Sequence, residues 1–134
     1  MKRLVAVAGM FFLASTLGAF AEGDAAKGEK VFKKCKACHQ IGEGAENKVG
    51  PQLNGVVGRV IGTSADYKYS DGYIALGEKG EKWDEEKLMA YLLNPKDFLK
   101  EAGVKRKSKM TFKLKKEDQR EDVIAYLKTF SAAE

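Results

Sequence analysis

The stretch Cys35-Lys36-Ala37-Cys38-His39 decides how this chain folds. Two cysteines separated by two residues and followed at once by a histidine are typical of a covalent attachment site for c-type haem. The thiols would add to the vinyl groups of the porphyrin, and the spacing places both sulfurs on one side of a helical turn. The next residue then directs an imidazole toward the iron. Because His39 is the only histidine in the chain, it is the one candidate for an imidazole ligand.

Two other interpretations of this stretch compete with haem attachment. A structural zinc site usually takes four Cys or His ligands, and the chain offers three, all within these five residues. A redox dithiol of the thioredoxin type is expected in a βαβ setting, whereas the flanking sequence is lysine-rich and helical in pattern. Haem attachment is therefore favoured over both.

The first 21 residues have the pattern of a secretory signal peptide. Met1-Lys2-Arg3 is positively charged, the following segment to Leu17 is almost wholly apolar, and Ala19-Phe20-Ala21 is a small-x-small cleavage site. We expect residues 1–21 to be cleaved off and residues 22–134 to form one small domain. An uncleaved anchor is the alternative, but the apolar segment is short for one. Because no other apolar run has spanning length, we expect an exported protein without stable membrane insertion.

Charge is unevenly distributed along the chain, although its overall balance is mild. Without Lys2 and Arg3, 22 of the 24 basic residues remain against 19 acidic ones, which gives a net charge of about +3. That balance is too small to predict a nucleic-acid partner. Two basic clusters stand out: Lys33, Lys34 and Lys36 beside the haem motif, and seven cations without an acid between residues 105 and 116 (Lys105, Arg106, Lys107, Lys109, Lys113, Lys115 and Lys116).

Apolar periodicity and capping signals predict an all-α domain. The main helices are expected over residues 24–36, 84–94 and 116–130, with shorter helical segments near 73–77 and 97–101. The rest of residues 96–116 is expected to be a long loop. Six glycines and Pro51 within residues 41–62 exclude a helix or long strand there. We expect this segment to be an ordered loop that packs on the haem.

A haem with histidine on one side needs a second axial ligand. Met89 lies on the apolar stripe of a predicted helix, where packing explains it, whereas Met110 lies in a polar, cationic loop. This contrast favours Met110 as the ligand. A thioether is a soft, neutral ligand that favours ferrous iron and raises the reduction potential. Iron closed on both faces has one easy reaction, which is the gain and loss of one electron.

On these motifs the chain strongly resembles the class I c-type cytochromes, and most closely the bacterial cytochromes c2, relatives of mitochondrial cytochrome c. The resemblance covers nearly all of residues 22–130 and, besides the haem motif, rests on five stretches in the same order: 50–59 (GPQLNGVVGR), 67–71 (YKYSD), 88–96 (LMAYLLNPK), 109–112 (KMTF) and 122–128 (DVIAYLK). It implies the small cytochrome c fold, in which three main helices, short helices and long loops surround one covalently bound haem c.

The resemblance also implies roles for single residues. Cys35 and Cys38 would carry the thioether bonds, and His39 and Met110 would ligate the iron. The carbonyl of Pro51 would accept a hydrogen bond from the His39 ring and fix its orientation. The haem propionates would be surrounded by Arg59, Tyr69, Trp83 and Ser108. The segment before Met110 is longer than in mitochondrial cytochrome c, which leaves the contact of Ser108 open.

Two further contacts are implied among the helices. Tyr91 would hydrogen-bond near the Met110 sulfur, and Gly28 and Phe32 would cross the last helix at Tyr126. A glycine inside a helix costs about 1 kcal/mol relative to alanine, so a close helix crossing explains Gly28 better than helix propensity does.

The implied function is that of a soluble one-electron carrier in the periplasm. Its donor would be a cytochrome bc1-type membrane complex, and its acceptor a photosynthetic reaction centre or a terminal oxidase of a respiratory chain. Electron-transfer partners must meet and part quickly, which favours a small interface steered by charge. We expect a monomer whose lysine-rich face meets these complexes, with Lys33, Lys36, Lys48, Lys96, Lys109 and Lys113 as its members. A generic solvated surface is the alternative for any one of them.

Two other functions remain open at this point. A haem enzyme such as a small peroxidase, or a gas sensor, needs an open sixth position at the iron, and Met110 argues against one. The chain also has no second histidine to act as a distal acid–base group. A purely structural haem-binding module is the other possibility. The carrier is favoured, and we expect no enzymatic activity.

Overall fold

Five α-helices build the part of the chain that the structure describes, which confirms the predicted all-α class. The computed structural model describes residues 22–105 and 108–131, so the predicted signal peptide lies outside the described residues, as do Arg106 and Lys107 of the second basic cluster. The helices are α1 (Ala25–Phe32), α2 (Asp71–Glu78), α3 (Glu85–Leu93), α4 (Pro95–Glu101) and α5 (Glu117–Lys128). Extended pairing within the described ranges is limited to an isolated antiparallel bridge between Val60 and Lys82. None of these helices has the length and apolarity needed to cross a bilayer.

Capping side chains begin two of the main helices where the sequence predicts. The carboxylate of Asp24 accepts hydrogen bonds from two amides in the first turn of α1, at 2.9 and 3.1 Å. The carboxylate of Asp84 accepts one from the amide of Lys87 in α3 at 2.7 Å. These amides have no partner inside the helix, so a capping oxygen stabilises each helix start by about 1 kcal/mol.

α1 and α4 differ from the prediction, whereas each end of the other helices lies within two residues of it. α1 ends at Phe32, four residues early, and the amide of Cys35 donates to the Phe32 carbonyl at 2.8 Å, three residues back. A hydrogen bond to the third residue back makes a tighter turn than the four-residue spacing of an α-helix. The haem motif therefore begins in turns and not in the helix. α4 is a seven-residue helix where a single turn was expected, because Asn94 caps it and Pro95 occupies its first turn.

The close crossing of α1 and α5 is present where it was predicted. Gly28 is buried, and a Cβ built on it would overlap the carbonyl oxygen of Asp122 in α5. The rings of Phe32 and Tyr126 lie 5.4 Å apart between their centroids. The amide of Asp24 also donates to the Asp122 carboxylate at 2.7 Å. Glycine is therefore required at position 28 by backbone contact.

The glycine-rich loop is ordered by its own polar side chains and packs onto the helices. The Asn54 amide group accepts from the backbone N–H of Gly42 and donates to its carbonyl, each at 2.8 Å. The amide of Gly55 donates to the Phe130 carbonyl after α5 at 3.0 Å. Ile61 at the end of the loop is fully buried. These bonds replace the regular secondary structure that the glycines prevent.

We expect Gly28→Ala to destabilise the protein, although alanine normally favours a helix over glycine by about 1 kcal/mol. The added methyl must push α1 away from the Asp122 carbonyl, and such overpacking costs typically about 1–3 kcal/mol. Urea unfolding of the haem-loaded protein, followed by circular dichroism, measures the free energy of unfolding.

Ala26→Gly is the matched control, because Ala26 is exposed on the same helix. It should lose only the propensity difference of about 1 kcal/mol. Equal or higher stability of Gly28→Ala relative to the wild type would contradict the crossing.

Candidate haem site

One cavity brings together five of the ten residues that the sequence singles out for haem, Cys35, His39, Trp83, Tyr91 and Met110, whereas Cys38, Pro51, Arg59, Tyr69 and Ser108 are not part of its lining. The space here that no protein atom fills amounts to about 620 Å³, part of it open to solvent, and Cys35, His39, Tyr91 and Met110 all line it. Its walls are otherwise apolar or aromatic and come from α1, α3, α5 and the glycine-rich loop, with Phe32, Leu88, Leu92, Val123, Leu127 and Leu53 among them. Cys35 and Met110 are far apart in sequence, so it is the fold that joins them. A large, flat apolar group with one cationic centre suits such a lining.

His39 is held by a hydrogen bond that defines its tautomer. Its Nδ1 lies 2.7 Å from the carbonyl oxygen of Pro51. Because a carbonyl only accepts, Nδ1 carries the proton and Nε2 keeps its lone pair for a metal. Burial lowers the pKa of His39, and the bond to Pro51 opposes this only in part. The ring is therefore held neutral, which is the form that ligates iron.

Gly50 allows the histidine ring to lie against the loop. A Cβ built on Gly50 would overlap Cε1 of His39 and stand 2.7 Å from its Nδ1. The amide of Gly50 donates to the carbonyl of Cys38 at 2.8 Å. Gly50 thus packs against the His39 ring, and Pro51 binds its Nδ1.

The environment of the Cys35 thiol sets the two cysteines apart from a redox dithiol. Both are half-buried and unpaired. Burial raises the pKa of Cys35 to about 11, although nearby Lys34 acts in the opposite direction. Reactive dithiols instead have a lowered pKa. The turns after α1 place the two residues close together, and the amides of Cys38 and His39 both donate to the Cys35 carbonyl, at 3.1 and 2.9 Å.

Zinc also lacks the setting it would need. Within residues 22–105 and 108–131, no group of three or more His, Cys, Asp or Glu side chains is arranged to hold a metal ion. The haem interpretation has what these two alternatives lack, namely the apolar cavity beside the motif.

The two methionines outside the predicted leader lie in different places. Met110 is half-buried and lines the cavity with His39. Met89 lines a separate surface groove with Glu85, Ile124 and Lys128. Of the methionines in the described part of the chain, only Met110 can therefore face a group held in the His39 cavity.

Arg59 is a half-buried cation without a carboxylate partner in the described residues. Its Nη1 donates to the Asn54 carbonyl at 3.1 Å, and its guanidinium also reaches the Gln52 carbonyl at 3.4–3.5 Å. Burial lowers the pKa of Arg59. A buried charge of this kind is normally paired, so the site suits an anionic group such as a haem propionate.

Tyr69 and two serines extend this polar region. The Tyr69 hydroxyl accepts from the amide of Ser64 at 3.0 Å. The hydroxyls of Ser64 and Ser70 are buried and have no hydrogen-bond partner in the described residues. Buried polar groups are nearly always paired, so these orphaned hydroxyls also fit an anion. Sequence reasoning missed both serines as site residues, although Ser70 stands in the quoted stretch 67–71.

Trp83 is fixed through both its backbone and its ring. Its amide donates to the Arg59 carbonyl at 2.9 Å, and its carbonyl accepts from Gly58 at 2.6 Å. Its ring lies 4.7 Å from that of Tyr91 and stacks on that of Phe98 at 5.6 Å between centroids. The backbone bonds place Trp83 directly beside Arg59. The propionate roles of Arg59, Tyr69 and Trp83 remain predictions.

Tyr91 and Ser108 have partners that the sequence did not predict. The Tyr91 hydroxyl lies 2.8 Å from that of Tyr73, which in turn lies 2.6 Å from Ser108 Oγ. Ser108 Oγ also binds the backbone of Met110. Burial raises the pKa of Tyr91 well above its usual value. Tyr73 is a residue that sequence reasoning missed in this role, and it lies between the two hydroxyls that were expected near sulfur and propionate.

Known proteins resemble the chain over nearly its whole length. The family model for cytochrome c matches residues 25–131. Cytochrome c2 of Rhodospirillum rubrum is 50% identical over 133 residues, which cover 96% of this chain and 98% of that protein. Cytochrome c-550 of Ancylobacter novellus is 50% identical over 108 residues, covering 80% and 95%. The structure of cytochrome c2 from Rhodospirillum centenum superposes with a TM-score of 0.78 at 49% identity and covers 82% of this chain and all of that one.

We expect Gly50→Ala to disturb His39 specifically. The φ angle of Gly50 is outside the left-handed region, so alanine is not strained there, but its methyl must displace the imidazole. The free energy of unfolding should fall by about 1–3 kcal/mol, and the haem absorption bands and reduction potential should shift.

Gly44→Ala supplies the complementary control. Gly44 has a φ of +71° and nothing within 4 Å of a built Cβ, so alanine costs only backbone strain of about 1–2 kcal/mol. Its spectrum should match that of the wild type. A Gly50→Ala protein with wild-type spectrum and potential would show that the ring does not depend on this contact.

Proposed function

This chain belongs to the cytochrome c family, and we propose that it is a periplasmic one-electron carrier whose haem iron is held between His39 and Met110. As a cytochrome c it is an electron carrier and not an enzyme, and it carries one haem c joined through the Cys35/Cys38 motif. The observation that carries the finer proposal is the shared cavity, because His39 and Met110 come from distant parts of the chain and line the same space.

The bound haem supplies a reversible exchange between ferrous and ferric iron. The protein's own residues would tune that exchange. Pro51 holds the imidazole of His39 in one orientation and one tautomer. The thioether of Met110 would favour the reduced state, and the apolar walls disfavour the additional charge of ferric iron. If His39 and Met110 both hold the metal, they would keep oxygen and peroxide from it.

A haem enzyme or gas sensor would need an exchangeable position at the iron. The side chain of Met110 is the group that would deny it, since it lines the cavity with His39. A structural haem-binding module would not need a thioether in the cavity, whereas in a redox centre a thioether such as that of Met110 would set the reduction potential. Electron transfer therefore accounts for more of the site than either alternative.

The lysine-rich face is proposed as the docking surface for membrane complexes. Its six lysines (Lys33, Lys36, Lys48, Lys96, Lys109 and Lys113) are all exposed, and none forms an ion pair with a carboxylate of the described residues. Two of them bind backbone carbonyls, Lys48 that of Lys36 at 3.3 Å and Lys109 that of Lys68 at 2.8 Å. These bonds leave the charge uncompensated. The face can therefore attract acidic patches on a partner.

The partners and the location follow from the family and the leader sequence. We propose a cytochrome bc1-type complex as donor, and a photosynthetic reaction centre or a terminal oxidase as acceptor, in a photosynthetic or a respiratory chain. The signal-peptide pattern of residues 1–21 supports export to the periplasm, where the chain would act as a soluble monomer. Cell fractionation, together with the N-terminal sequence of the purified protein, tests export and cleavage after Ala21.

We expect Met110→Leu to abolish the sulfur-to-iron charge-transfer absorption of the ferric protein and to lower its reduction potential. Leucine nearly conserves the volume but removes the sulfur, so the change in fold stability from packing should stay below about 1.5 kcal/mol. Absorption spectroscopy and redox titration measure both effects.

Met89→Leu is the matched control, since it removes the sulfur from the other groove. It should keep the absorption band and the potential. If the band survives in Met110→Leu and is lost in Met89→Leu, the axial ligand has been assigned to the wrong methionine.

We expect Lys36→Gln to slow electron transfer to a membrane partner at low salt, on the order of threefold to tenfold, as part of a total steering gain of about 10–10³. The rate of oxidation of the reduced protein by isolated membranes, followed by stopped flow, measures this. The difference from wild type should vanish near 1 M salt, where the Debye length is about 3 Å.

Lys87→Gln changes the net charge equally but removes a lysine already paired with Glu81 at 3.4 Å and Asp84 at 2.9 Å. Its effect on the rate should be smaller. Equal slowing by both variants, or a wild-type rate indifferent to salt, would remove the lysine-rich face from the mechanism.

A further inference from the structure

We propose that a groove beside α5 is the binding site for the chain's own terminal ammonium group, the one that removal of the leader leaves on Glu22. The proposal rests on the proposed cleavage after Ala21. Hydrolysis of the bond between Ala21 and Glu22 leaves a carboxylate on the departing leader and converts an uncharged amide nitrogen into a primary ammonium. The mature chain thus begins with a positive charge and three hydrogen-bond donors that the precursor lacks at this position.

The groove has a surplus of negative charge. It contains about 770 Å³ of space that no protein atom fills, part of it open to solvent, and Glu22, Glu85 and Glu121 all line it. Lys128 is the one cation in this lining, and it forms an ion pair with Glu85. Neither Glu22 nor Glu121 forms an ion pair with a residue that the structure describes. Two carboxylates therefore remain without a cation.

Backbone contacts hold the start of the mature chain against this groove. A Cβ built on Gly23 would overlap the carbonyl oxygen of Glu121 in α5. The amide of Asp24 donates to the Asp122 carboxylate at 2.7 Å. Glu22 directly precedes these two anchored residues, and consecutive Cα atoms are about 3.8 Å apart. The terminal ammonium is therefore held beside the half-buried side chain of Glu121.

A cation from solution suits the groove less well than the tethered ammonium does. Within residues 22–105 and 108–131, no group of three or more His, Cys, Asp or Glu side chains is arranged to hold a metal ion. A free cation would also lose translational freedom on binding. The ammonium has already been brought to the groove by the chain, so its local concentration is high.

Other charges near the terminus act in both directions. The start of α1 carries a partial positive charge that repels the ammonium. The Asp24 carboxylate offsets it by capping the first turn of α1, and Asp122 of α5 adds a second negative charge. On the groove side, the ion pair between Glu85 of α3 and Lys128 of α5 is neutral overall. Glu121 is then the uncompensated acid that α5 presents to the terminus.

Leader removal would therefore strengthen the contact between the start of the chain and α5. This contact lies next to the crossing at Gly28, where the two helices meet through backbone atoms. The same crossing determines where α1 delivers the haem motif. Processing thus adds an attraction to the packing that positions Cys35.

We expect the groove to raise the pKa of the Glu22 α-amine above its ordinary value of about 7.7–8.0, by roughly one unit. Because the pKa is raised in the folded protein, the stabilisation is complete below about pH 7 and is lost as the pH rises through the raised pKa. One unit corresponds to about a tenfold change in the unfolding equilibrium constant. The only histidine, His39, is proposed as an iron ligand, so it does not obscure this titration.

The first experiment is an NMR titration of the α-amino group in the haem-loaded protein that begins at Glu22. Glu121→Gln keeps the shape of the side chain and removes its charge, so it should abolish most of the upward pKa shift. Glu29→Gln is the matched control, because Glu29 is exposed on α1 and lies outside the lining of the groove. It changes the net charge equally and should leave the pKa near the wild-type value.

The second experiment removes the charge from the terminus itself. Acetylation of the α-amine, at a pH where lysine side chains are still protonated, should raise the unfolding equilibrium constant about tenfold at about pH 6. The acetylated and free proteins should become equally stable once the pH exceeds the raised pKa. In Glu121→Gln, acetylation should have little effect on stability.

An α-amine with the same pKa in the folded and unfolded protein would overturn the proposal, as would equal lowering of the pKa by Glu121→Gln and Glu29→Gln. The proposed cleavage site is tested separately, by the N-terminal sequence of the protein purified from cells. If that sequence begins elsewhere, the cleavage site is what fails. The titration of the chain that begins at Glu22 still decides whether the groove binds its ammonium.

Discussion

The close contact of α1 with α5 at Gly28 is the constraint on which the position of the haem motif depends. α1 leads directly into the turns that hold Cys35, and α5 supplies Val123 and Leu127 to the cavity wall. A Cβ at position 28 would overlap the Asp122 carbonyl. The two helix backbones are therefore in direct contact, and this contact fixes the distance between them. The carboxylate of Asp122 then binds the amide of Asp24 and sets where α1 begins. The motif is thus placed by backbone contact, which is stiffer than contact between side chains.

The Met110 segment is fixed at both ends by groups from other elements. Before it, Ser108 is bound to Tyr73. After it, the amide of Leu114 donates to the Leu92 carbonyl of α3 at 2.7 Å. The buried guanidinium of Arg120 in α5 donates to the carbonyls of Leu114 and Lys115, each at 2.8 Å. A neutral thioether is a weak ligand compared with imidazole, so restraint of the flanking backbone lowers the entropy cost of keeping it in place.

Local signals in the sequence were sufficient for much of this architecture. The caps at Asp24 and Asp84, the short helix near Tyr73 and the close crossing at Gly28 are confirmed, and each rests on short-range chemistry or on the family resemblance. The contrast between Met89 and Met110 could also be drawn, because an apolar stripe and a cationic loop are visible in the chain itself.

The partners of single polar groups could not be predicted in the same way. Tyr73 and Ser108 are 35 positions apart, and no periodicity marks them as neighbours. Arg120 reads as a surface cation of an amphipathic helix, yet it is 8% exposed and binds carbonyls of the preceding loop. The unpaired hydroxyls of Ser64 and Ser70 are recognisable only from burial. Such contacts depend on how loops return to the helices, and glycine-rich segments leave that path open.

Lys109 contributes both to the positive charge of the surface and to the restraint of the segment that holds Met110. Its ammonium binds the Lys68 carbonyl at 2.8 Å and lies 5.8 Å from the centre of the Tyr67 ring. Neither partner is an anion, so the positive charge remains available to an approaching protein. A lysine held in this way loses less side-chain entropy on docking than a freely moving one. The same contact joins the chain before α2 to the residue next to Met110, so the cation that can attract a partner also restrains the segment that holds the proposed iron ligand.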